Sequence, residues 1–403
     1  MSNPIDDNEF PDRQDLDYMQ WENVSPSLKF LYVPHRLTFL LTAAIIVFCS
    51  RPTTVIGITV YVWVVSSVII ATFLQDSPMV RPHPFFWRLV LAFTLVQAFS
   101  CFFFSFLDKG TQMKYLKSIS PSTVGQPAER DYAMSCVIYD RNNPKDPFHS
   151  LKSITFDEYV PAHFIGWILQ SFIVRDKKIC WIVSILFEFM ERGLKHWFPN
   201  FAECWWDSFV LDVLLTNGIG IEIGMRLVNL FQYYPWEKRL YDEIKTQPAK
   251  LKRLLSQFTP RSFARFEWRP LESPRRYLSC VMIGGMLMYM MLVLFGLKMI
   301  YGMLPTNPFI LMYMILDAIV GVPAAYELYL YATEKRDTIG NYTTATFLLG
   351  IMQSLVVYRS HEGYFTEPIP FHVKVFSSVF FASLVLFPFV WFPLMRKSKT
   401  KTE

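Results

Sequence analysis

An all-α, polytopic membrane protein with about ten transmembrane helices is the fold class this sequence predicts. Three observations carry it. Of the 403 residues 52% are hydrophobic and only 18% are charged, and the apolar residues stand in blocks of one bilayer length. A soluble chain of this size needs more polar surface to cover its core, whereas a hydrocarbon layer of roughly 30 Å needs about 20 apolar residues per helix.

The elements follow in chain order. Residues 1–33 are polar and acidic, with no charged n-region followed by an apolar h-region, so no cleavable leader is expected. Residues 37–49 form a short apolar run that 30–36 can extend as an interfacial turn. The run 55–74 carries no charge, and 87–107 is broken only by Arg88. A long loop covers 108–152. Three segments that mix apolar and polar residues follow at 154–174, 179–198 and 205–231. After a basic loop at 232–276 come four plain apolar runs at 277–300, 308–331, 341–358 and 371–394, then a basic tail at 396–403. The reading is one membrane-embedded catalytic domain, 34–395, between a polar N-terminal segment and the tail.

Charge placement orients the spans. The 232–276 loop holds eleven Lys/Arg against five Asp/Glu, which predicts a cytosolic position. Four spans separate it from the basic tail and six from the N-terminus, so both termini are predicted in the cytosol. The cluster Arg175-Asp-Lys-Lys178 and the pair Lys335-Arg336 fall on the same side. The ending Lys399-x-Lys401-x-x resembles the dilysine signal of endoplasmic reticulum membrane proteins, as against a basic anchor for the last helix. Six cysteines are scattered without a C-x-x-C spacing. Cys136 and Cys204 share the non-cytosolic side and are expected as two unpaired thiols, with a disulfide as the alternative. No repeat, Gly-rich phosphate loop or nucleic-acid motif is present. The net charge of +5 fits cytosolic loops beside anionic lipid head groups.

The chemistry concentrates between residues 188 and 212. Glu188, Glu191, Glu203, Asp207 and Asp212 are five carboxylates in 25 residues of otherwise membrane-grade sequence. An ionised side chain at the bilayer centre costs at least about 2.5 kcal/mol, so such a group needs partners or a purpose. Glu188 and Glu191 are i,i+3, and Glu203 and Asp207 are i,i+4, so each pair is expected on one helix face. Pro199-Asn200 supplies the break between the two helices. A helical hairpin would then bring like charges together, which calls for a cation between them. Oxygen donors in number favour Ca²⁺, then Mg²⁺ or Mn²⁺; zinc lacks its usual Cys/His set. The competing reading is that Arg192, Lys195 and His196 neutralise the acids as buried ion pairs, but three cations do not balance five carboxylates. His163, on the preceding apolar segment, and His196 are the two candidate general bases, and nothing local separates them. Asn200 and Asn217 are amides for a polar head group or for freed backbone groups beside Pro199 and Gly218.

These residues together resemble a known family. His163-Phe-Ile-Gly-Trp167, Phe187-Glu188, Glu191, His196 and Pro199-Asn-Phe-Ala-Glu-Cys-Trp-Trp-Asp207-Ser-Phe-Val-Leu-Asp212 are similar to the eukaryotic phosphatidylserine synthases of the base-exchange type. Arg81-Pro-His-Pro84, Gln257-Phe-Thr-Pro260 and Asn217 with the 218–225 run extend the resemblance over roughly 34–394. Cys136-Val-Ile-Tyr139 and Phe156-Asp-Glu-Tyr159 look closer to the plant-type members.

The resemblance implies Ca²⁺-dependent exchange of a phospholipid head group for L-serine in the endoplasmic reticulum membrane. The donor would be phosphatidylethanolamine, or else phosphatidylcholine, and a homodimer is compatible with it. His163 would be the base, with Glu188 and Asn200 in the catalytic group. Glu191, Glu203, Asp207 and Asp212 would hold the metal, and His196, Asn217 and Arg81 would bind substrate; how the acids divide between metal and serine stays open. Three positions depart from the family pattern. Gln170 replaces a lysine, 291–294 replaces an acidic Glu-Leu-Asn element, and Tyr326 replaces an arginine; Arg81 is present, so the resemblance carries over the chemistry and leaves feedback control by product open. A CDP-alcohol phosphatidyltransferase would need an Asp-Gly-x-x-Ala-Arg run that is absent. An ion-coupled transporter would need the carboxylates but not the compact Pro-Asn hairpin.

Overall fold

Every apolar block becomes helix. The computed structural model describes residues 36–50, 52–79, 83–126, 135–156, 159–232, 244–257, 265–304 and 307–399. The order is α1 (Arg36–Cys49), α2 (Val55–Phe73), α3 (Pro84–Phe104), α4 (Lys109–Ile119), α5 (His149–Thr155), α6 (Tyr159–Val174) and α7 (Lys177–Leu194). A 3₁₀ turn at Pro199–Phe201 and a π-helical stretch at Asp207–Asn217 lead into α8 (Gly218–Gln232). Then come α9 (Gln247–Gln257), α10 (Pro274–Tyr301), α11 (Pro308–Ala332), α12 (Asn341–Ser360) and α13 (Phe371–Lys399). No strand occurs among the described residues. The N-terminal 1–33 segment, Arg81, and Lys401 of the dilysine pattern lie outside the described residues, as do parts of the long and basic loops.

The ten expected spans are α1–α3, α6–α8 with the π-helical stretch, and α10–α13. Six are long and apolar enough on their own to cross a membrane: Val55–Phe73, Pro84–Phe104, Asp207–Leu230, Pro274–Tyr301, Pro308–Ala332 and Phe371–Met395. The other four are shorter or more polar for identifiable reasons. α1 has 14 residues and α6 has 16. α7 carries Glu188, Glu191 and Arg192. α12 lies inside the bundle against α3, α10 and α11, where its polar residues find protein partners. Thr343 donates to the Ala324 carbonyl at 2.8 Å, and Gln353 Oε1 accepts from the Tyr313 hydroxyl at 2.6 Å. A polar group in hydrocarbon needs such a partner.

Helix starts are written locally. Asp176 caps α7 through the amides of Lys178 and Ile179, and Ser273 and Asn307 cap α10 and α11 with proline at the first helical position. The helix ends sort into two groups. At one end meet the 120–126 segment, the end of α10 and the α12–α13 loop: Gly125 and Gln126 bond to Tyr301 and Gly302, and Trp197 donates to Glu367. At the other end the basic residues gather. Phe266 bonds to the Arg175 carbonyl there, and Arg275 donates to the Arg336 carbonyl. The Arg175–Lys178 cluster, 265–276 and Lys335-Arg336 therefore share one face, as the charge pattern predicts.

One expectation is corrected. Cys136 and Cys204 are not free thiols; they form a disulfide, with their Cα atoms 5.3 Å apart. The indole of Trp206 donates to the Cys136 carbonyl at 3.2 Å. Together these pin the long loop onto the segment between α7 and α8. Tyr326 is buried and stacks on Phe266 with ring centroids 6.0 Å apart and planes 10° apart.

Candidate active site

The site is built first on α7, which is amphipathic in reverse. Ile182, Ile185 and Phe189 are exposed on its outer face, while Ser184, Glu188 and Glu191 are buried at i, i+4 and i+7. The apolar face meets lipid and the polar row turns into the bundle, because hydrocarbon gives a carboxylate no partner.

The second wall differs from the expected helix. Glu203 lies in irregular chain just after the 3₁₀ turn, not one turn before Asp207 on a shared face. The helix after it begins with eleven residues of π-helix, Asp207–Asn217. Bonding from i to i+5 stacks every fifth residue, so Asp207, Asp212 and Asn217 form one row. In an α-helix, five residues would rotate roughly 140° between them. All three are buried, Asn217 completely. The i,i+4 reading of Glu203 and Asp207 fails because the backbone there is neither α-helical nor continuous.

The third wall is α6, which carries His163. It lies against α8 because that helix has no side chain where the two cross. A Cβ on Gly220 would stand 2.7 Å from the Phe164 carbonyl oxygen, and one on Gly224 2.6 Å from the Ser171 Cβ. The Gly220-x-x-x-Gly224 spacing is a small-residue contact of the kind that lets membrane helices approach. This approach sets His163 Nδ1 3.2 Å from Asp212 Oδ1. The distance is that of an ion pair, although the ring is not aligned for a hydrogen bond. Asp212 is thus the partner of the histidine as well as one of the acids.

Two groups of ligand atoms result. His163, Glu188 and Asp212 offer atoms all within 4.8 Å of one another, and so do Glu188, Glu191 and Glu203. Glu188 belongs to both. Oxygens bound to one Ca²⁺ at 2.3–2.6 Å can stand no farther apart than about 5 Å, so either group has the span to share a hard cation. The donor chemistry agrees. Among the described residues Glu188 Oε2 and Glu191 Oε2 are buried with no hydrogen-bond partner, and Glu203 accepts from the Ser208 hydroxyl at 3.0 Å. The competing ion-pair arrangement is absent among the described residues. The Arg192 guanidinium lies 4.7 Å from the Phe209 ring centroid with Nε and Nη2 unbonded, both ring nitrogens of His196 are unbonded, and Lys195 is exposed.

The other expected residues divide. Asn217 is fully buried, and its amide donates to Ser184 Oγ at 3.1 Å and to Glu188 Oε1 at 3.3 Å, which orients that carboxylate. Asn200 is half-buried in the 3₁₀ turn. His196 packs at 4.8 Å against Trp197 and belongs to neither ligand group. Asp207 is buried in the π-helical row but is in neither group among the described residues. Two contributors escaped the sequence reading. Ser184 sits four residues before Glu188, a spacing that could have flagged it. Thr216, which donates to Asp212 Oδ1 at 3.3 Å, stands four residues after that acid and carried the same signal. Beside His163 opens a cavity of about 260 Å³ between α6, α7, α10, α11 and α12, lined mostly by apolar side chains.

Comparison with known proteins identifies the family. The family model for phosphatidyl serine synthase matches residues 82–361. Phosphatidylserine synthase 2 of Danio rerio is 34% identical over 301 residues, 74% of this chain and 66% of that protein. Its Rattus norvegicus counterpart is 35% identical over 304 residues, 74% of this chain and 64% of that protein. CDP-diacylglycerol–serine O-phosphatidyltransferase 2 of Oryza sativa subsp. japonica is 30% identical over 388 residues, 92% of this chain and 91% of that protein. The chain thus spans just under two thirds of the length of these two animal relatives and nearly all of the rice one. With more than half of its length inside the matched region, the chain belongs to the phosphatidyl serine synthase family.

Proposed function

We propose that the protein transfers the phosphatidyl group of an existing phospholipid to L-serine by base exchange, with phosphatidylethanolamine or phosphatidylcholine as donor and Ca²⁺ as cofactor. The observation that carries this reading is the histidine–aspartate pair beside carboxylates whose buried oxygens have no hydrogen-bond partner among the described residues, with the histidine itself lining an apolar cavity. His163 Nδ1 faces Asp212, which leaves Nε2 for the serine hydroxyl. Nε2 takes the hydroxyl proton as the serine oxygen attacks phosphorus. A new P–O bond forms, the P–O bond to the old head group breaks, and the same proton goes to the departing amino-alcohol oxygen. No oxidation or nucleotide is needed. Asp212 holds the imidazole and offsets its charge while it carries the proton, and Asn217 fixes Glu188. Glu188, Glu191, Glu203 and Asp212 would hold Ca²⁺, which supplies positive charge for the phosphoryl oxygens. Asp207, though among the acids the sequence offered, stands apart from that set.

The same reading covers location. An endoplasmic reticulum membrane with cytosolic termini puts the basic helix ends beside anionic lipid and the site at the lumenal end. The Cys136–Cys204 disulfide beside the site supports an oxidising compartment there.

A second reading has its own observation. The names of the Oryza sativa and Arabidopsis thaliana relatives give those proteins CDP-diacylglycerol as substrate. Microsomes containing this chain, supplied with labelled serine and Ca²⁺ but no CTP or CDP-diacylglycerol, should form labelled phosphatidylserine. Running each donor lipid in turn identifies the head group released, and incorporation that appears only with CDP-diacylglycerol overturns base exchange.

A further inference from the structure

The cavity beside His163 is apolar over most of its wall, but one level of it is not. The hydroxyls of its lining are engaged with the protein: Tyr313 donates to Gln353 at 2.6 Å, Thr343 to the Ala324 carbonyl at 2.8 Å and Thr346 to the Tyr342 carbonyl at 2.8 Å. Gln170 and Asp317 line the same cavity and differ. Gln170 Oε1 and Asp317 Oδ1 are buried, and among the described residues neither has a hydrogen-bond partner. Asp317 forms no ion pair among them either. The two lie at one level. α6 and α11 both run from the end that carries the site to the basic end, and they touch where a Cβ on Gly321 would stand 3.0 Å from Ile173 Cδ1. Asp317 is four residues before Gly321 and Gln170 three before Ile173, so each stands back from that contact by about 5 Å, one turn. His163 is on the same face of α6, seven residues and about 10 Å nearer the site end. The ordinary reading closes this pair on itself: a neutral Asp317 donates its proton to the Gln170 carbonyl. Such a pair is indifferent to what enters the cavity.

We propose that Asp317 and Gln170 bind the ammonium of the donor's head group and select a primary amine over a trimethylated one. Two unpartnered acceptors, one of them a carboxylate, suit a cationic N–H donor. The occupant must also reach His163. Hydrogen bonds of about 2.8 Å at the two ends take up roughly half of the 10 Å between the levels, and the P–O–C–C–N chain of a phosphoethanolamine takes up the rest. Free serine with its hydroxyl at His163 is shorter by the phosphorus, and it brings a carboxylate that Asp317 repels. The same repulsion acts on phosphatidylserine, so the seat favours substrate over product. A trimethylammonium keeps the charge but has no N–H to donate. This assignment rests on the base-exchange reading for the reaction, but not for the binding of the lipid.

The test uses the full-length chain in detergent, as wild type, Asp317→Asn and Gln170→Lys. Thermal unfolding with short-chain phosphatidylethanolamine against short-chain phosphatidylcholine reads binding without turnover. Phosphatidylethanolamine should stabilise wild type more, and Asp317→Asn should lose that difference. Gln170→Lys should lose it too, because the lysine brings its own ammonium to Asp317. In serine-incorporation kinetics the KM preference for phosphatidylethanolamine over phosphatidylcholine should fall about tenfold in Asp317→Asn, the size of one charge-assisted hydrogen bond, with the serine KM within about twofold of wild type. An unchanged preference in Asp317→Asn, whose amide still donates to Gln170, returns the pair to the self-contained reading and overturns the assignment. A wild type that binds both lipids alike overturns it as well, as does a serine KM that rises alone. Should Asp317→Asn fail to fold, Gln170→Lys carries both measurements. Absence of turnover with every donor, with the lipid difference present in wild type and lost in the variants, would sink base exchange and leave the ammonium seat standing.

Discussion

Two sets of carboxylates are buried in this bundle, and they are built in opposite ways. Glu327, at the basic end, is saturated. Its Oε2 accepts from the amides of Tyr342 at 2.8 Å and Thr343 at 3.1 Å, and its Oε1 stands 3.6 Å from Arg336. Those amides belong to the first turn of α12, so the positive end of a helix dipole completes the arrangement. Glu188 and Glu191, at the other end, are as deeply buried, yet each keeps an oxygen with no partner and faces other acids. A fold can satisfy a buried carboxylate, as Glu327 shows. Where it leaves several unsatisfied side by side among the described residues, as at Glu188 and Glu191, the contrast is what the proposed cation would explain.

The largest effect that would break this contrast is on turnover. His163→Ala should lower serine incorporation by about a hundredfold or more, the scale of a lost general base. The purified variant should unfold at the wild-type temperature, because His163 is in contact with the site rather than part of the core clusters. Unchanged turnover would transfer the base role to His196. The next effect is on stability and its metal dependence. Removing one of several crowded like charges should make metal-free Glu191→Gln more stable than metal-free wild type. Wild type should gain about 2.7 kcal/mol at a Ca²⁺ concentration a hundred times the dissociation constant, and the variant should gain far less. Thermal unfolding with Ca²⁺ against a chelator measures both. A Glu191→Gln protein that is less stable without metal would place Glu191 with Glu327 as a structural acid.

Much of the site could be read before any coordinates, and the limit of that reading has a physical cause. The acids of α7 were legible because an α-helix repeats on a known period, which makes Glu188 and Glu191 neighbours by spacing alone. The row Asp207, Asp212 and Asn217 was not, because a π-helix has a different period and nothing in Asp-Ser-Phe-Val-Leu-Asp announces it. The His163–Asp212 pair spans 49 positions and depends on how closely α6 and α8 approach. Gly220 and Gly224 set that distance, so the signal was present but spoke of helix contact, not of chemistry. Cysteine spacing similarly gave no connectivity; pairing of Cys136 with Cys204 requires the long loop to fold back over the 3₁₀ turn. The ten apolar blocks were the most legible feature, since each states its own length.

The smallest effect sharpens the comparison from its other side. Glu327→Gln keeps the shape of the side chain and one oxygen for the two backbone donors, but it removes the charge and sets an NH2 group where Oε1 faced Arg336. The bonds to the helix start are then no longer charge-assisted, and a buried amide N–H is left facing a cation. The expected cost is about 1–3 kcal/mol of stability, read as a lower unfolding temperature. The stabilisation by Ca²⁺ and the turnover of the folded fraction should match wild type, since the partners of Glu327 are Tyr342, Thr343 and Arg336 and not His163 or the acids of the site. Arg336→Gln should cost less than about 1 kcal/mol, because its guanidinium is 39% exposed and water already competes for it. If the two variants were equal, the ion pair rather than the helix amides would be what neutralises Glu327. The basic end would then balance its charge by a cation, as is proposed for the site, and saturation by backbone would no longer separate structural acids from ligand-binding ones.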